Sequence, residues 1–149
     1  MKVKALFLDF DGVITTEKSN FVFDPLLLAR LGCILVVTGA KIVISSSRRG
    51  VGLKDTLESI VDPENTHVRN VPFPFVNEVI GITPHIVSWF RGQQVDAYLK
   101  EHPEISDYAI LDDKDDFYPE QKKHLILVDG DSGLTDVDVQ KAIALLSVT

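Results

Sequence analysis

Apolar runs and polar turns alternate along the chain, and their spacing predicts strands alternating with helices. Short, nearly continuous apolar runs are typical of strands buried on both faces. They lie at Val3–Leu8, Ile42–Ile44, Tyr108–Leu111 and Leu125–Val128, with weaker candidates at His67–Val71 and Val79–Ile82. Apolar residues at helical spacing mark four helices, around Leu27, Leu31 and Ile34; Leu53, Leu57, Ile60 and Val61; Val95, Tyr98 and Leu99; and Val139, Ala142, Ile143 and Leu146. This order predicts an α/β fold, a Rossmann-like and mainly parallel sheet flanked by helices on both sides.

Residues with strong positional preferences set the ends of two of these helices. Asp24 followed by Pro25 is typical of an N-cap and the first helical position, and Gly39 can end the same helix. Thr135 with Asp138 resembles a capping box that opens the last helix.

The composition indicates an ordinary soluble globular protein. The chain has 149 residues, 45% of them apolar and 25% charged, so a single domain over residues 1–149 with a real core is expected. Cys33 is the only cysteine, which excludes an intrachain disulfide, and its apolar neighbourhood predicts a small core residue rather than a nucleophile. The net charge of −7 argues against broad non-specific binding to nucleic acid, although it allows a small basic patch at a site.

The N-terminal apolar run does not have the form of a targeting segment. Asp9 interrupts it too early for a signal peptide, and no stretch of the sequence is long enough to span a membrane. A cytoplasmic protein with no membrane partner is therefore expected.

Polar clusters follow three of the predicted strands. They are Asp9 with Asp11, then Ser45, then Asp112 with Asp113. Open parallel sheets place their sites at the carboxyl ends of strands, so these clusters can converge on one site although they are far apart in sequence. Crowded carboxylates are costly unless a cation or a shared proton relieves their repulsion. A hard cation with oxygen ligands, Mg²⁺ before others, is the simplest answer.

A wider pattern surrounds these clusters. It comprises Asp9-Phe10-Asp11-Gly12-Val13, Gly39-Ala40-Lys41-Ile42-Val43-Ile44-Ser45-Ser46, Thr83-Pro84, Arg91-Gly92, Leu111-Asp112-Asp113 and Gly133-Leu134-Thr135. The pattern resembles the haloacid-dehalogenase (HAD) superfamily of phosphatases, and within it the HAD domain of Swiss Army Knife RNA repair-like proteins, over nearly the whole chain. The resemblance implies a HAD fold with a flap after the first strand. The short connections leave room for a minimal cap or none.

What the resemblance implies for function is a Mg²⁺-dependent phosphohydrolase that works through an aspartyl-phosphate. The residues it implies are Asp9 as nucleophile, Asp11 as general acid and base, Ser45 and Arg91 on the phosphoryl oxygens, and Asp9, the Asp11 carbonyl, Asp112 and Asp113 around Mg²⁺. Gly12, Ser46 and Arg48 are expected to contact the phosphate or the rest of the substrate. The two aspartates of the first motif favour phosphatase over dehalogenase chemistry, since a halide leaving group needs no acid.

Some assignments stay open at the level of sequence. Lys114 is an alternative to Arg91 for the positive charge at the phosphoryl group. Arg48 and Arg49 can serve either as substrate contacts or as surface charge. Asp131, in a glycine-flanked turn after the last strand, resembles another form of the fourth motif and ranks behind Asp112 and Asp113.

The substrate also stays open. The preferred one is a phosphomonoester on a nucleotide or a polynucleotide end, because HAD proteins with minimal caps often act on large substrates. The alternatives are a small-metabolite phosphatase, and a regulatory HAD-like domain that binds phosphate or Mg²⁺ without turnover. Retention of both Asp9 and Asp11 argues against the regulatory domain.

Overall fold

The computed structural model describes residues 2–65, 68, 71–86 and 90–147, and it contains a parallel sheet of five strands. The strands are β1 (Val3–Leu8), β2 (Lys41–Ile44), β3 (Val79–Ile82), β4 (Ile105–Asp112) and β5 (Leu125–Leu127). Their spatial order is β3-β2-β1-β4-β5, so β1 is central and the chain crosses over between strands. The predicted α/β fold is confirmed.

Five α-helices connect or follow the strands in the described residues. They are α1 (Pro25–Thr38), α2 (Leu53–Ser59), α3 (Arg91–Glu101), α4 (Pro119–Lys122) and α5 (Asp136–Leu146). None of these helices has the length and apolar character needed to cross a membrane.

The predicted helix caps are present. The Asp24 side chain accepts a hydrogen bond from the backbone N–H of Leu26, and Pro25 is the first residue of α1. Gly39 ends α1 with φ of 71°, in the left-handed region that glycine enters without steric cost. Thr135 and Asp138 form the capping box that opens α5.

The alternation of side chains along β1 supplies both faces of the sheet with core residues. Leu6 and Leu8 pack into the cluster that includes α1 and α5, whereas Ala5 and Phe7 pack into the cluster that includes α3. All four side chains have no exposed surface. A strand buried on both faces is therefore nearly all apolar, which is why its sequence could be recognised.

The register of the central strands brings three chain segments to one level. Leu8 of β1 lies opposite Ile44 of β2 and Leu111 of β4. The backbone N–H of Asp9 then donates to the Leu111 carbonyl at 3.0 Å, and that of Ser45 donates to the Leu8 carbonyl at 2.8 Å. The first residues beyond β1 and β2 and the last residue of β4 thus meet at the same edge of the sheet.

The connections at this edge are short, and no separate cap domain occurs in the part of the chain that the structure describes. Phe10 anchors the turn after β1 because its ring packs against Phe23 and Phe73, with centroids 5.5 and 5.8 Å away. Its carbonyl accepts from the backbone N–H groups of residues 13 to 15, which closes the turn tightly. The aspartates on either side of Phe10 are therefore held by a packed aromatic anchor.

Of the weak strand candidate at His67–Val71, the structure describes Val68 and Val71, and neither is in a strand; the other residues lie outside the described ones.

The prediction that Cys33 is a core residue is wrong, because its side chain is exposed. Helix α1 is apolar on nearly every face, Val36 and Val37 being exposed as well. An apolar neighbourhood therefore did not identify the buried face.

Candidate active site

Three carboxylates converge at the carboxyl end of the sheet. One oxygen each from Asp9, Asp112 and Asp113 can be chosen so that all three atoms lie within 4.8 Å of one another. Asp9 and Asp112 are 3% and 0% exposed, so two of these groups are removed from water almost completely. They come from the ends of adjacent strands, β1 and β4, as the sequence predicted.

Among the described residues, the guanidinium group of Arg91 lies against this cluster. Arg91 is the first residue of α3, and its Nη1 lies 3.3 Å from Asp9 Oδ1 and 3.2 Å from Asp112 Oδ2. The same nitrogen donates to the Ser45 carbonyl at 2.7 Å. Arg91 therefore joins the ends of β1, β2 and β4 from within the site. A cation at a helix N-terminus opposes the helix dipole, and the two buried carboxylates provide the compensating charge.

Lys114 does not share that position. Its side chain is exposed, and its contribution is the backbone N–H, which donates to Asp112 Oδ1 at 2.9 Å. Of the two cations that the sequence left open, the structure brings the Arg91 side chain to the carboxylates.

The cluster carries more negative charge than Arg91 balances. Burial and, after it, the neighbouring Asp112 raise the pKa of Asp9 to about 8, although Arg91 opposes the shift. Burial also raises the pKa of Asp112 to about 6, against the lowering effect of Arg91 and of the Lys114 N–H. Burial would lower the pKa of Arg91, but Asp9 and Asp112 raise it overall. Asp9 and Asp112 are therefore costly to ionise, and a bound cation would relieve that cost.

The donor set fits a metal ion. Three carboxylates at this spacing offer the oxygen ligands that hard divalent cations take, and their mutual repulsion favours a cation among them. The Asp11 carboxylate is not part of this group. If Asp11 contributes a ligand, as the resemblance implies, its backbone carbonyl is the atom available.

Ser45 presents a buried hydroxyl beside Arg91. The residue is 1% exposed, and its Oγ is the buried side-chain atom that finds no hydrogen-bond partner among the described residues. A buried, unsatisfied polar atom costs about 1–3 kcal/mol. Such a cost is expected where a ligand oxygen completes the bonding. The backbone of Ser45 is already bonded at both its N–H and its carbonyl, so the hydroxyl is the polar group of this residue that still lacks a partner among the described residues.

Asp11 lies nearer the rim of the site. Its Oδ2 is 2.5 Å from Arg48 Nε, and its Oδ1 accepts from the Thr15 hydroxyl at 2.8 Å. About a third of each charged side chain of this pair remains exposed. Arg48 thus faces the mouth of the site and orients the Asp11 carboxylate.

Two glycines enclose the third carboxylate. Gly12 has φ of 87°, and a Cβ on it would overlap the Asp113 carboxylate. A Cβ on Gly130 would come within 2.8 Å of Asp113 Oδ2. Gly12, predicted as a phosphate-binding residue, thus lies in contact with Asp113 and is held where a larger residue does not fit.

The turn that resembles another fourth motif lies beside the site through its glycine rather than its aspartate. Asp131 is exposed, and its backbone N–H bonds to Asp129 Oδ1 at 2.9 Å within the turn. The ranking of Asp112 and Asp113 above Asp131 agrees with this arrangement.

The remaining residues after Ser45 are engaged within the protein. Ser46 is fully buried, and its Oγ accepts from the Arg48 N–H at 3.1 Å. The predicted substrate contact of Ser46 therefore competes with a bond that shapes the turn. Arg49 is also buried, and its guanidinium binds backbone and amide oxygens. The sequence left open whether Arg49 contacts the substrate or is a surface charge. Because Arg49 is buried, it is not a surface charge.

Gly130 and Gln94 were not expected at the site from the sequence. Gly130 could have been found from the glycine-flanked turn, which was interpreted through its aspartates. Gln94 lies one turn along α3 from Arg91, but a glutamine in a helix carries no signal of its own.

Comparison with known proteins supports the pattern found in the sequence. The family described as the HAD domain in Swiss Army Knife RNA repair proteins matches residues 5–139. Neither the curated proteins nor the solved structures that were compared include a match.

Proposed function

The chain belongs to the family of HAD domains found in Swiss Army Knife RNA repair proteins, and from this premise we propose that it is a Mg²⁺-dependent phosphohydrolase with Asp9 as the nucleophile. The observation that carries the proposal is the unsatisfied hydroxyl of Ser45, a residue whose carbonyl binds Arg91, at the same edge of the sheet as the three clustered carboxylates. A phosphoryl group supplies the acceptor that Ser45 lacks, and the carboxylates supply a nucleophile and a cation site.

In the first step an oxygen of Asp9 attacks phosphorus, and the bond from phosphorus to the leaving oxygen breaks as the aspartyl-phosphate forms. The Ser45 hydroxyl and Arg91 bind non-bridging oxygens, where phosphoryl transfer depends on positioning and charge neutralisation. Arg91 already touches Asp9, so it aligns the nucleophile with the group it attacks. A carboxylate nucleophile divides one difficult displacement into two easier ones.

Asp11 acts as the general acid and then as the general base. As a carboxylic acid it protonates the leaving oxygen, and as a carboxylate it takes a proton from the water that releases phosphate from Asp9. Arg48 and Thr15 hold its two oxygens at the rim of the site. To bind Asp11, the leaving oxygen has to replace Arg48 or Thr15 at one of the carboxylate oxygens. Arg48 therefore helps to orient Asp11 towards the substrate.

Mg²⁺ bound by Asp9, Asp112 and Asp113 would favour their ionised forms and neutralise charge on the phosphoryl oxygens. The chain's own contribution is a rigid donor set, since Gly12 and Gly130 enclose Asp113 and the Lys114 N–H holds Asp112.

A phosphorylated polynucleotide end is the substrate class that we favour. The family description names RNA repair proteins, and no separate cap closes over the described part of the site. Arg48 lies at the rim, where it can meet a second phosphate. The acidic net charge limits such recognition to a few phosphates, so the salt dependence of binding is expected to be shallow.

The test compares kcat/KM with Mg²⁺ for an aryl phosphate, a mononucleotide, and oligonucleotides with 5′- or 3′-phosphates. We expect an oligonucleotide to be turned over best, because it supplies remote contacts that an open site does not provide to small molecules. Arg48→Met should lower kcat/KM for the oligonucleotide more than for the aryl phosphate. A mononucleotide or sugar phosphate turned over much faster than every oligonucleotide would instead identify a small-metabolite phosphatase. Binding of Mg²⁺ and phosphate without turnover of any ester would identify a regulatory domain.

A further inference from the structure

Arg49 is a buried cation that no carboxylate pairs with among the described residues. Its side chain is inside the protein, and its guanidinium donates to four oxygens. The acceptors are the carbonyls of Thr83 at 2.9 Å, Ser46 at 2.7 Å and Pro84 at 3.3 Å, and Gln94 Oε1 at 3.1 Å. All four acceptors are uncharged, so the hydrogen bonds are satisfied while the charge is not.

Such a group is costly without a charge partner. Burial lowers the pKa of Arg49, and the neighbouring charge of Arg91 lowers it further. Buried charges in proteins are normally paired. A neutral residue could make some of the same hydrogen bonds at a lower desolvation cost, so the hydrogen bonds alone do not account for the positive charge. An anion that binds nearby would account for it.

The bonds of Arg49 reach close neighbours of Ser45 and Arg91, the two residues that we place on the phosphoryl group. Arg49 Nη1 binds the Ser46 carbonyl, and Arg91 Nη1 binds the carbonyl of Ser45, one residue earlier. Arg49 Nη2 binds Gln94, which is one helical turn from Arg91 in α3. The two guanidinium groups therefore bind consecutive carbonyls of one turn, and the first of these carbonyls belongs to Ser45.

The formal charges of the site indicate what a second cation, Arg49, can contribute. The three aspartates carry three negative charges, and these are balanced by a divalent cation together with Arg91. A phosphoryl dianion entering that neutral site would bring uncompensated negative charge. With Arg49 counted, the site that holds the cation carries one positive charge before the dianion enters and one negative charge, instead of two, afterwards.

We propose that Arg49 is a positioning residue whose buried, unpaired charge stabilises the phosphoryl group held by Ser45 and Arg91. The inference rests on the proposed function. It extends that function by assigning part of the affinity for the phosphoryl dianion to a residue that does not touch it.

The experiment measures binding of two probes, Mg²⁺ alone and inorganic phosphate in the presence of Mg²⁺, by calorimetry at neutral pH. The variants are Arg49→Met, which removes the charge and the hydrogen bonds, and Arg49→Lys, which keeps the charge but loses the planar fork. Arg49→Gln is a second neutral variant if Arg49→Met does not fold. Unfolding in urea measures the structural loss of each variant.

We expect the neutral variants to bind phosphate about tenfold more weakly and Mg²⁺ more tightly, since a nearby positive charge attracts one probe and repels the other. Arg49→Lys should stay within about threefold of wild type for both probes, although it loses stability as the neutral variants do. A purely structural role would weaken both probes together, or would weaken phosphate equally in Arg49→Lys and Arg49→Met; either result overturns the proposal. If wild-type protein binds both probes and Arg49→Met binds phosphate with the same affinity as wild type, this inference alone is rejected. Wild-type protein that binds neither probe rejects the proposed function.

Discussion

Replacing the proposed nucleophile should stabilise the metal-free protein. In Asp9→Asn the amide oxygen can still accept from the Phe10 N–H, which is 2.9 Å from Asp9 Oδ1, and it can still face Arg91. The change removes a charge that burial and Asp112 make unfavourable in the folded state. The substitution therefore raises the free energy of unfolding. It removes a cost from the folded state, whereas in the unfolded state the same carboxylate is fully hydrated and carries no such cost.

The magnitude and its pH dependence follow from the pKa of Asp9, which rises from 3.8 to about 8 on folding. A carboxyl group with a raised folded pKa contributes stability that is complete below pH 3.8 and is lost as the pH rises through about 8. At pH 7 the loss spans about three pKa units, or roughly 4 kcal/mol at 1.36 kcal/mol per unit. This is an upper limit, because water entering the site and local relaxation reduce the cost. Asp9→Asn avoids the loss, so its advantage over wild type should grow across this range.

The assay is urea unfolding followed by circular dichroism, with a chelator present, at several pH values between 4 and 8. Asp131→Asn is a matched control because Asp131 is exposed. It should change the free energy of unfolding by less than about 0.5 kcal/mol at each pH. The reasoning is refuted if Asp9→Asn is less stable than wild type at pH 7, or if the difference between them does not change with pH.

Four further results are expected from the same geometry. Mg²⁺ should raise the melting temperature of wild type and of Asp131→Asn, but not of the double variant Asp112→Asn with Asp113→Asn; a shift lost only with Asp131 would move the metal site to that turn. Ser45→Ala should lower kcat/KM by about 10- to 100-fold, because it removes one hydrogen bond to a charged oxygen. The same variant should not lower the free energy of unfolding and can raise it by up to about 3 kcal/mol, since it deletes a buried group without a partner. A loss of several kcal/mol would show that the hydroxyl has a structural role. Arg91→Met should destabilise the protein by about 3–5 kcal/mol in chelator because it leaves buried carboxylates uncompensated, and a change below 1 kcal/mol measured by urea unfolding would contradict that pairing.

The central part of the fold could be predicted because burial on both faces leaves a simple sequence pattern. Strand β1 was predicted with its observed bounds, and the aspartates after β1 and at the end of β4 follow from it. Strand β4 begins at Ile105, earlier than predicted, because Ser106 and Asp107 are polar residues on a part of the strand that is not fully buried. Alternation at a strand end does not resemble a buried run.

The environment of the polar residues could not be predicted, because it depends on packing between distant segments. Arg48 and Arg49 are neighbours in sequence, yet one reaches Asp11 at the rim and the other is buried against Thr83 and Gln94. Which arginine turns inward is decided by the turn after β2 and by the start of α3. The exposure of Cys33 has the same origin, since an all-apolar helix does not indicate which face the sheet covers.

The most direct test of the account is to trap the intermediate on Asp9. Protein turning over a phosphorylated oligonucleotide with Mg²⁺ is quenched in acid, digested, and analysed by mass spectrometry, with Asp9→Asn as the matched variant. The account predicts a peptide containing Asp9 that carries one phosphoryl group in wild type and none in Asp9→Asn, together with turnover that falls to background in that variant. Asp9→Asn protein that retains a substantial fraction of wild-type kcat would contradict the account, as would a phosphoryl group found on a different residue.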